Sequence, residues 1–356
     1  MTMPSSADPQ RLRTLLDTWA RELGFSSLAV SQPDLKQASQ RLRDWLAAGH
    51  HGAMEWFERS VALRADPAAL VPGTLRVISV TLPYARDNGR DALQVLGDPA
   101  LAYVSRYALG RDYHKVLRGR LAQLARRLST AAGTAPGRVF CDSAPVLEVE
   151  LAVQAGLGWR GKHSLLLNRD AGSWFFLGEL YTDLPLPADA PMGEHCGRCT
   201  ACIDACPTGA IIAPYRVDAR RCVSYLTIEH PGSIPEPLRP LIGNRIYGCD
   251  DCQLVCPWNR DGPRSATPGD FAAREGLAGA ALLELFGWSE ADFQKRLEGS
   301  AIRRIGYRRW LRNLAVALGN GAADPAACTA LQTRLDDPDP VVREHVRWAL
   351  DRLAPR

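Results

Sequence analysis

The sequence predicts an α+β fold built from three parts. Strand-like and helix-like segments mix in the first half without the regular strand–helix–strand rhythm of a doubly wound sheet. Two short cysteine-rich runs follow, and the rest of the chain has a helical pattern. We therefore expect a mixed α/β domain over residues 1–190, a cysteine module over 191–265 and a helical domain over 266–356. A chain of 356 residues is long enough for two or three domains.

The first elements follow from hydrophobic spacing. Leucines at helical intervals predict mainly helix up to about Ser60. The β-branched run at 77–82 predicts a strand that Pro83 closes. A longer helical pattern then predicts a helix over 113–128.

The second part of this domain contains shorter elements. A strand is expected at 139–140, and a helix from 146 to about 155 that ends at Gly156. Two further strands are expected at 164–168 and 173–182, joined by a turn that contains Asp170, Ala171 and Gly172. A proline-rich joint then leads into the cysteine module.

Seven of the ten cysteines form two tight runs, and an eighth lies between them. The runs are Cys196-x2-Cys199-x2-Cys202-x3-Cys206-Pro207 and Cys249-x2-Cys252-x3-Cys256-Pro257, and Cys222 lies between them. In bacterial ferredoxins, three cysteines of such a run hold one [4Fe–4S] cluster and the fourth ligates the other cluster. The expected ligand sets are Cys196, Cys199, Cys202 and Cys256, and Cys206, Cys222, Cys249 and Cys252. The chain is therefore predicted to transfer electrons singly.

Structural zinc and disulfides are the alternatives for these cysteines. Zinc sites favour two well-separated pairs, whereas consecutive short spacings that end in Cys-Pro favour [4Fe–4S] clusters. Disulfides are disfavoured because no secretory segment or twin-arginine opens the sequence. Cys141 and Cys328 fall outside the runs and are expected to be small buried hydrophobic residues.

Composition excludes several functional classes. No apolar run approaches the roughly 20 residues that span a bilayer, so no membrane association is expected. A formal charge of +4 is too small for a polycationic binder, so any nucleic-acid contact requires a local patch. These features predict a cytoplasmic protein. Nothing indicates an obligate dimer, and we expect a monomer.

The helical domain shows two amphipathic helices and a short third. Asp339 and Pro340 form a helix start, with aspartate as N-cap and proline at the first helical position. That helix carries Val342, Val346, Ala349 and Leu353 on one side. An earlier helix over 307–318 stops at Gly319. This pattern resembles HEAT-type repeats.

Five arginines lie within ten residues at the start of this earlier helix: Arg303, Arg304, Arg308, Arg309 and Arg312. Cations there oppose the helix macrodipole and cost about 0.3–1 kcal/mol each. That cost is understandable if RNA phosphates bind the guanidinium groups and the free backbone N–H groups. The alternative is an ordinary solvated face. Arg220 and Arg221, beside the cysteine module, are expected to extend the same track.

Two motifs are misleading. Gly156-x-Gly158-x-x-Gly161 matches a dinucleotide fingerprint, but a helix precedes it and a strand follows, the reverse of what pyrophosphate binding requires. Asp112-x-His114 resembles the start of a cobalamin loop that supplies a lower histidine ligand, but Leu117 stands where that loop needs glycine. We therefore expect His114 to be an ordinary helical histidine near a structural aspartate.

Several blocks of the chain together resemble the epoxyqueuosine reductase family. They are YVSRYALGRDYHK at 103–115, DSAP at 142–145, GLGWRGKHS at 156–164, SYLTIE at 224–229, NRIYGCDDCQ at 244–253 and GSAIRR at 299–304. The resemblance covers nearly the whole chain and includes both cysteine runs in order.

This resemblance implies reduction of epoxyqueuosine to queuosine at the wobble position of a tRNA with a GUN anticodon, the last step of queuosine biosynthesis. It implies cob(I)alamin without a lower histidine ligand, recharged by two [4Fe–4S] clusters. The first domain would bind cobalamin, and the ferredoxin-like module would receive electrons from an external one-electron donor such as flavodoxin or ferredoxin. The HEAT-like domain would hold tRNA.

Two other functions compete with this interpretation. A corrinoid reductase of a small molecule, similar to a reductive dehalogenase, would share the cofactors but usually has a twin-arginine signal and no HEAT-like tail. A plain electron carrier would leave the long first domain without a role. Bound cobalamin and tRNA binding would separate the three.

The resemblance assigns the proton donor to Asp142. A free aspartate has a pKa of about 3.9 and is ionised at neutral pH, so we expect burial beside an apolar corrin to raise the pKa of Asp142. The alternative is that Asp142 caps a helix that begins at Pro145. Ser143 fits the cap position as well, which would leave Asp142 free for chemistry.

The cobalamin contacts are expected around the glycine turn and in neighbouring segments. The candidates are Arg59, Tyr103, Arg106, Ser143, Gln154, Gly156, Gly158, Lys162, Ser164, Ser224 and Tyr225. Each of them can equally be a structural residue. Lys162 is the preferred candidate, because a flexible ammonium between Gly161 and His163 suits amide or phosphate oxygens.

Overall fold

The computed structural model describes residues 8–84, 92–135, 137–260 and 269–354. Its α-helices are α1 Pro9–Glu22, α2 Lys36–Ala47, α3 Trp56–Arg59, α4 Val61–Ala65, α5 Pro67–Leu70, α6 Ala92–Gly97, α7 Tyr113–Ala132, α8 Glu148–Gln154, α9 Ala201–Asp204, α10 Arg239–Ile242, α11 Asp251–Leu254, α12 Leu282–Phe286, α13 Glu290–Arg296, α14 Gly306–Gly319, α15 Pro325–Gln332 and α16 Pro340–Leu353.

The strands are β1 Ser27–Ser31, β2 Arg76–Pro83, β3 Tyr103–Val104, β4 Arg138–Phe140, β5 Trp159–Arg160, β6 Leu166–Leu167, β7 Phe175–Thr182, β8 Ile211–Ala213, β9 Arg216–Val217 and β10 Arg245–Tyr247. The predicted domain boundary at 265–266 lies outside the described residues. None of the described helices is long and apolar enough to cross a membrane.

An antiparallel sheet in the order β1-β2-β7-β4 organises the first half of the chain. Apolar residues of α1 and α7 cover one face, and those of α2 and α8 cover the other. The register places Glu179 of β7 between Ser79 of β2 and Phe140 of β4. Glu179 therefore lies in the middle of the sheet, on the face that α8 covers.

Several predicted elements are confirmed and others are wrong. The strand at 77–82, the helix from Tyr113 and the strand at 139–140 are present as β2, α7 and β4. The opening stretch is not wholly helical, because β1 forms there. Its sequence, SLAVS, has few β-branched residues and gains its extended form by pairing with β2.

The two strands expected around Asp170 exist, but each pairs elsewhere. β6 pairs with β5, whereas β7 joins the central sheet, and a bridge between Asn168 and Gly172 closes the turn. The helix expected from 146 begins only at Glu148. Asp142 has a positive φ of 50°, so the chain bends before that helix starts.

The cysteine module lies between the sheet and the helical tail. The short helices α9 and α11 contain Cys202 and Cys252 and contact each other, and β8 and β9 form a hairpin. β10 pairs in parallel with β3 and so joins the module to the first part of the chain. A π-helical turn, Tyr225–Glu229, follows Cys222 closely. Such turns are rare and occur frequently at functional sites.

The tail is helical, as predicted. The Asp339 carboxylate accepts the N–H groups of Val341 and Val342, and Pro340 opens α16, so the predicted cap is confirmed. α14 packs on α16 at close range, since a Cβ at Gly319 would lie 2.8 Å from Ala349. One apolar core joins the tail to residues 219–247 of the cysteine module and to 102–109. Cys141 is buried as expected, and Cys328 is partly buried against this core.

Candidate active site between the cysteine module and Asp142

The first cysteine quartet assembles at the edge of the module. Burial and then the nearby thiols of Cys256, Cys196 and Cys199 raise the pKa of the Cys202 thiol to about 11. The four cysteines predicted for this quartet therefore lie together. Cys199 is exposed, so this quartet reaches the surface. The other side is closed by Trp159 and Trp258, which pack against Cys196 and Cys256 with their ring centroids 4.9 Å apart.

The second quartet comprises Cys206, Cys222, Cys249 and Cys252 and lines a cavity of about 430 Å³. The N–H of Ala210 donates to Cys206 Sγ at 3.2 Å, a hydrogen bond of the kind that stabilises a thiolate. Among the described residues, no three Cys, His, Asp or Glu side chains can hold a single metal ion. A [4Fe–4S] cluster instead binds each thiolate to a different iron. Four cysteines in each set, as predicted, fit two such clusters.

Asp142 lies at a junction of cavities. It lines the cavity of the second quartet and two neighbours of about 830 and 310 Å³. These neighbours are also lined by Met54, Glu229 and Arg304. The Asp142 side chain is 54% exposed to this space. A molecule that enters here can reach the carboxylate from one side and the second quartet from another.

Two adjacent residues of α7 hold the Asp142 carboxylate. The Tyr113 hydroxyl donates to Oδ2, and His114 Nε2 lies 3.0 Å from the same oxygen. His114 Nδ1 lies 2.8 Å from Asp112 Oδ1, and Asp112 also caps α7 by accepting the N–H of His114. The Tyr113 ring is stacked between His114 and Phe176 at centroid distances of 4.0 and 4.2 Å. The helix cap and this stacking fix the orientation of the acid.

The electrostatics of Asp142 contradict the expectation from sequence. Burial raises the pKa of Asp142, but hydrogen bonds from His114 and Tyr113 and the charges of His114 and Arg304 outweigh it and lower the pKa below its ordinary value. For His114, burial lowers the pKa, but Asp112 and Asp142 raise it to about 9. At neutral pH the proton therefore resides on His114, next to an ionised Asp142.

The residues that control Asp142 were largely missed from the sequence. His114 is near a structural aspartate, as expected, but it also reaches Asp142 across the fold. The available signal was the Asp112-x-His114 spacing at a helix start, which places one side chain as cap and the other facing outward. The helix-cap interpretation of Asp142 and Ser143 is wrong, because Leu147 stands at the cap position of α8, where no side-chain hydrogen bond caps the helix.

Four of the predicted cobalamin contacts line the cavities around Asp142: Ser143, Ser164, Ser224 and Tyr225. The glycine turn has a packing role, since a Cβ at Gly156 would lie 2.2 Å from Ala190 O and one at Gly158 2.0 Å from Leu167 O. The helix before this turn and the strand after it confirm that no dinucleotide fingerprint is present.

The other predicted contacts have partners elsewhere. Lys162 Nζ donates to Gly197 O and Cys199 O at 2.8 and 2.9 Å, and so holds the loop of the first quartet. Gln154 bonds the backbone of Asp34, Tyr103 is buried on Asp250, Arg106 lies over the ring of Trp174, and Arg59 is exposed beside Glu55.

The cavities suit a large cofactor with polar side groups. Trp56, Phe57 and Met54 contribute apolar surface to the largest of them. His163, only 5% exposed, lines the cavity of the second quartet. Its Nδ1 accepts the N–H of Leu165, and its Nε2 has no partner among the described residues. A buried donor without a partner at a cavity wall fits an amide oxygen of a bound corrin.

The arginine cluster divides into buried and exposed members. Arg303, Arg304 and Arg308 are exposed, and Arg304 pairs with Glu229 at the rim of the Asp142 cavities. Arg309 is partly buried and donates to Ile228 O.

The prediction that Arg312 contacts tRNA is contradicted, because its side chain is fully buried and donates to backbone carbonyls that include Leu226 O, His230 O and Gly232 O. Burial, followed by the charges of Arg309 and Arg308, lowers the pKa of Arg312 to about 9. Arg220 and Arg221 are exposed, although Arg220 is paired with Asp218.

Comparison with known proteins gives a consistent result. Residues 195–259 match a 4Fe-4S double cluster binding domain, and residues 64–143 match the family described as epoxyqueuosine reductase QueG, DUF1730. The chain is 56% identical over 349 residues to epoxyqueuosine reductase of Pseudomonas aeruginosa, which covers 98% of this chain and 96% of the relative. It is 54% identical over 348 residues to that of Escherichia coli K12, with 98% and 91% covered.

Solved structures agree with this comparison. One is an epoxyqueuosine reductase with an epoxyqueuosine-modified tRNA-Tyr stem loop, at a TM-score of 0.88 and 28% identity, covering 98% of this chain and 92% of the other. Another is epoxyqueuosine reductase from Bacillus subtilis with its catalytic aspartate loop swung out of the active site, with the same TM-score, identity and coverage.

Proposed function

This chain belongs to the epoxyqueuosine reductase family, and from that premise we propose that it reduces epoxyqueuosine to queuosine in tRNA. The reaction removes the epoxide oxygen as water, consumes two electrons and two protons, and leaves a carbon–carbon double bond. The observation that carries the proposal is that Asp142 and the second cysteine quartet line the same cavity. A source of electrons and a source of protons therefore face the space into which a modified base can enter.

The proposed cofactors are cobalamin and two [4Fe–4S] clusters. When bound, they supply the reducing electrons, a task that protein side chains do not perform. Cys196, Cys199, Cys202 and Cys256 would hold one cluster, and Cys206, Cys222, Cys249 and Cys252 the other. Ser143, Ser164, Ser224 and Tyr225 are the proposed cobalamin contacts, with His163 added as a donor from the cavity wall.

The side chains near Asp142 store and transfer the proton that the reaction needs. Asp142 donates to the departing oxygen, and His114 supplies Asp142 from its Nε2, 3.0 Å away. The hydrogen bond from the Tyr113 hydroxyl fixes the position of the Asp142 carboxylate and stabilises its negative charge. The proton then passes from His114 through Asp142 to the departing substrate oxygen. A lowered pKa for Asp142 is compatible with this role, because the neighbouring imidazolium stores the proton.

The proposed tRNA surface comprises the exposed arginines Arg303, Arg304 and Arg308, with Arg220 and Arg221 beside the module. Arg304, at the rim of the cavities, would contact the phosphates nearest to the modified base. The helical tail would act as the HEAT-like part of this surface, within the proposed division into 1–190, 191–265 and 266–356. Such a substrate implies a cytoplasmic enzyme, which we propose to be a monomer.

Electrons would enter at the first quartet, since Cys199 is exposed. The second quartet lies farther inside, against the Asp142 cavity. This order suits an external one-electron donor such as flavodoxin or ferredoxin.

The recognition of a GUN anticodon is part of the same proposal.

Anaerobic turnover of a stem loop that carries epoxyqueuosine, followed by mass spectrometry, tests the proposal. We expect the loss of one oxygen only when cobalamin is present. No loss from a protein with reducible clusters and bound cobalamin would overturn the assignment and favour a small-molecule corrinoid reductase.

A further inference from the structure

A pair of carboxyl groups, one of them fully buried, lies directly behind the Asp142 loop. Glu179, in the central strand β7, is 0% exposed, and neither of its carboxyl oxygens receives an N–H or O–H from the part of the chain that the structure describes. Its polar neighbour is the carboxyl group of Glu148, the first residue of α8, which lies close enough to share a proton with it. This pair has no place in the chemistry described so far.

The pair must hold a proton. Ionised carboxylates only accept hydrogen bonds, so two of them can bond to each other only when one is protonated. A buried charge without a partner is also strongly unfavourable. Burial, and then the charge of Glu148, raises the pKa of Glu179 well above its ordinary value. Burial and the charge of Asp142 raise the pKa of Glu148 to about 7. The Glu179 hydroxyl thus donates to Glu148.

Glu148 in turn holds the backbone of the proton donor. Its Oε1 accepts the N–H of Asp142 at 2.5 Å. Asp142 has a positive φ of 50°, a conformation that is uncommon outside glycine and persists when its surroundings fix it. Tyr113 and His114 hold the side chain of Asp142, whereas Glu148 holds its main chain. The two attachments together define where the carboxylate points.

We infer that Glu148 and Glu179 form a positioning device for the proton donor, in which one shared proton keeps Glu148 bonded to the Asp142 N–H. The catalytic consequence rests on the proposed function, whereas the positioning itself does not. Loss of the proton places two charges side by side in a buried site, and their repulsion moves Glu148 away from the loop. The loop is then free to leave the cavity.

Other charged groups also face the pair and must be considered in any pH experiment. Arg64 attracts the Glu148 charge, and Asp142 repels it. Cys141, just after β4, and Tyr181, in β7 itself, both titrate far above the neutral range because burial and these carboxylates raise their pKa values. Glu148, with a pKa of about 7, and His114, with a pKa of about 9, are therefore two groups of this region that titrate between neutral and mildly alkaline pH.

Hydrogen–deuterium exchange of the cofactor-loaded enzyme tests the inference directly, because the amide of Asp142 reports its own hydrogen bond. We expect Glu148→Ala to lower the protection of this amide at least about tenfold. Turnover of the modified stem loop should fall by roughly 10²-fold in kcat with little change in KM, as is common for a misplaced catalytic group. Glu150→Ala, which also removes an acid from the first turn of α8, is the matched control and should leave the protection unchanged.

Glu179→Gln keeps the test decisive if Glu148→Ala folds poorly. The glutamine amide donates to Glu148 at every pH, so the Asp142 amide of this variant should stay protected. Its protection should not decline at alkaline pH, as we expect for the wild type when the shared proton is lost. Unchanged protection in a folded Glu148→Ala protein would overturn the inference. Loss of protection in a folded Glu179→Gln protein would also overturn it. Because exchange needs no substrate, these results stand even if the proposed reaction is not observed.

Discussion

Asp142 accepts hydrogen bonds from Tyr113 and His114 on a single oxygen, and this determines where a proton resides at neutral pH. We predict that Asp142→Asn keeps both cysteine quartets and tRNA affinity but lowers kcat by roughly 10²–10⁴-fold, the usual contribution of a positioned acid. Single-turnover mass spectrometry under anaerobic conditions measures this. Activity within about threefold of the wild type would exclude Asp142 as the proton donor.

His114 provides a prediction on pH and stability. Its pKa is raised from 6.5 to about 9, so its pairing with Asp112 and Asp142 stabilises the fold fully below pH 6.5. That contribution, on the order of 2 kcal/mol, is lost as the pH rises through about 9. Thermal unfolding of the wild type and of His114→Gln should therefore differ most at pH 6 and least at pH 10. A difference that does not depend on pH would contradict this pairing.

At the scale of elements, the π-helical turn Tyr225–Glu229 is the point where the tail meets the active site. Arg312 of α14 donates to Leu226 O and to two carbonyls just beyond the turn, and Asn313 donates to Thr227 O. Ser224 and Tyr225, at the start of the turn, line the Asp142 cavities. A buried guanidinium thus fixes a wall of the site through backbone carbonyls that the π-helix leaves without helical partners.

Arg312 and Arg308 should therefore behave differently. Arg312→Met leaves several buried carbonyls without donors and should cost about 3 kcal/mol or more of unfolding free energy. Arg308→Ala should leave the melting temperature within about 2 °C, since exposed charge substitutions are nearly neutral for stability. The Arg308→Ala substitution should weaken stem-loop binding and reduce the salt dependence of that binding by about one phosphate contact. If Arg312→Met weakened stem-loop binding as much as Arg308→Ala and left stability unchanged, the assignment of Arg312 to the core would be contradicted.

The same elements indicate what the sequence was able to predict. The ligand quartets follow from local spacing and a known ligation rule, and the cap at Asp339 follows from residue type at a helix start. The burial of Arg312 was not predictable, because five arginines within ten residues resemble a surface patch until the carbonyls of residues 226–232 are placed beside one of them. The pKa of Asp142 was likewise beyond local inference, since its partners lie 28 and 29 residues away on α7.

At the scale of the whole molecule, the three predicted domains share their interior. Cys222 and Cys249 of the second quartet pack against the same apolar core as α14 and α16 of the tail. β10 of the module pairs with β3 of the first part of the chain. Elements that share one core unfold together, because the loss of any part exposes the apolar surface of the others. The helical tail is therefore expected to stabilise the second cluster, in addition to its proposed part in tRNA binding.

A pair of buried leucines tests this coupling. Leu314 of α14 and Leu16 of α1 are both 0% exposed, but Leu314 belongs to the core shared with the second quartet and Leu16 to the core under the sheet. Each change to alanine should cost about 2–5 kcal/mol. During mild denaturation of the cluster-loaded protein, Leu314→Ala should lose its cluster absorbance earlier than Leu16→Ala at matched overall stability. Equal rates of loss would mean that the tail and the second cluster unfold independently, which would contradict the predicted coupling.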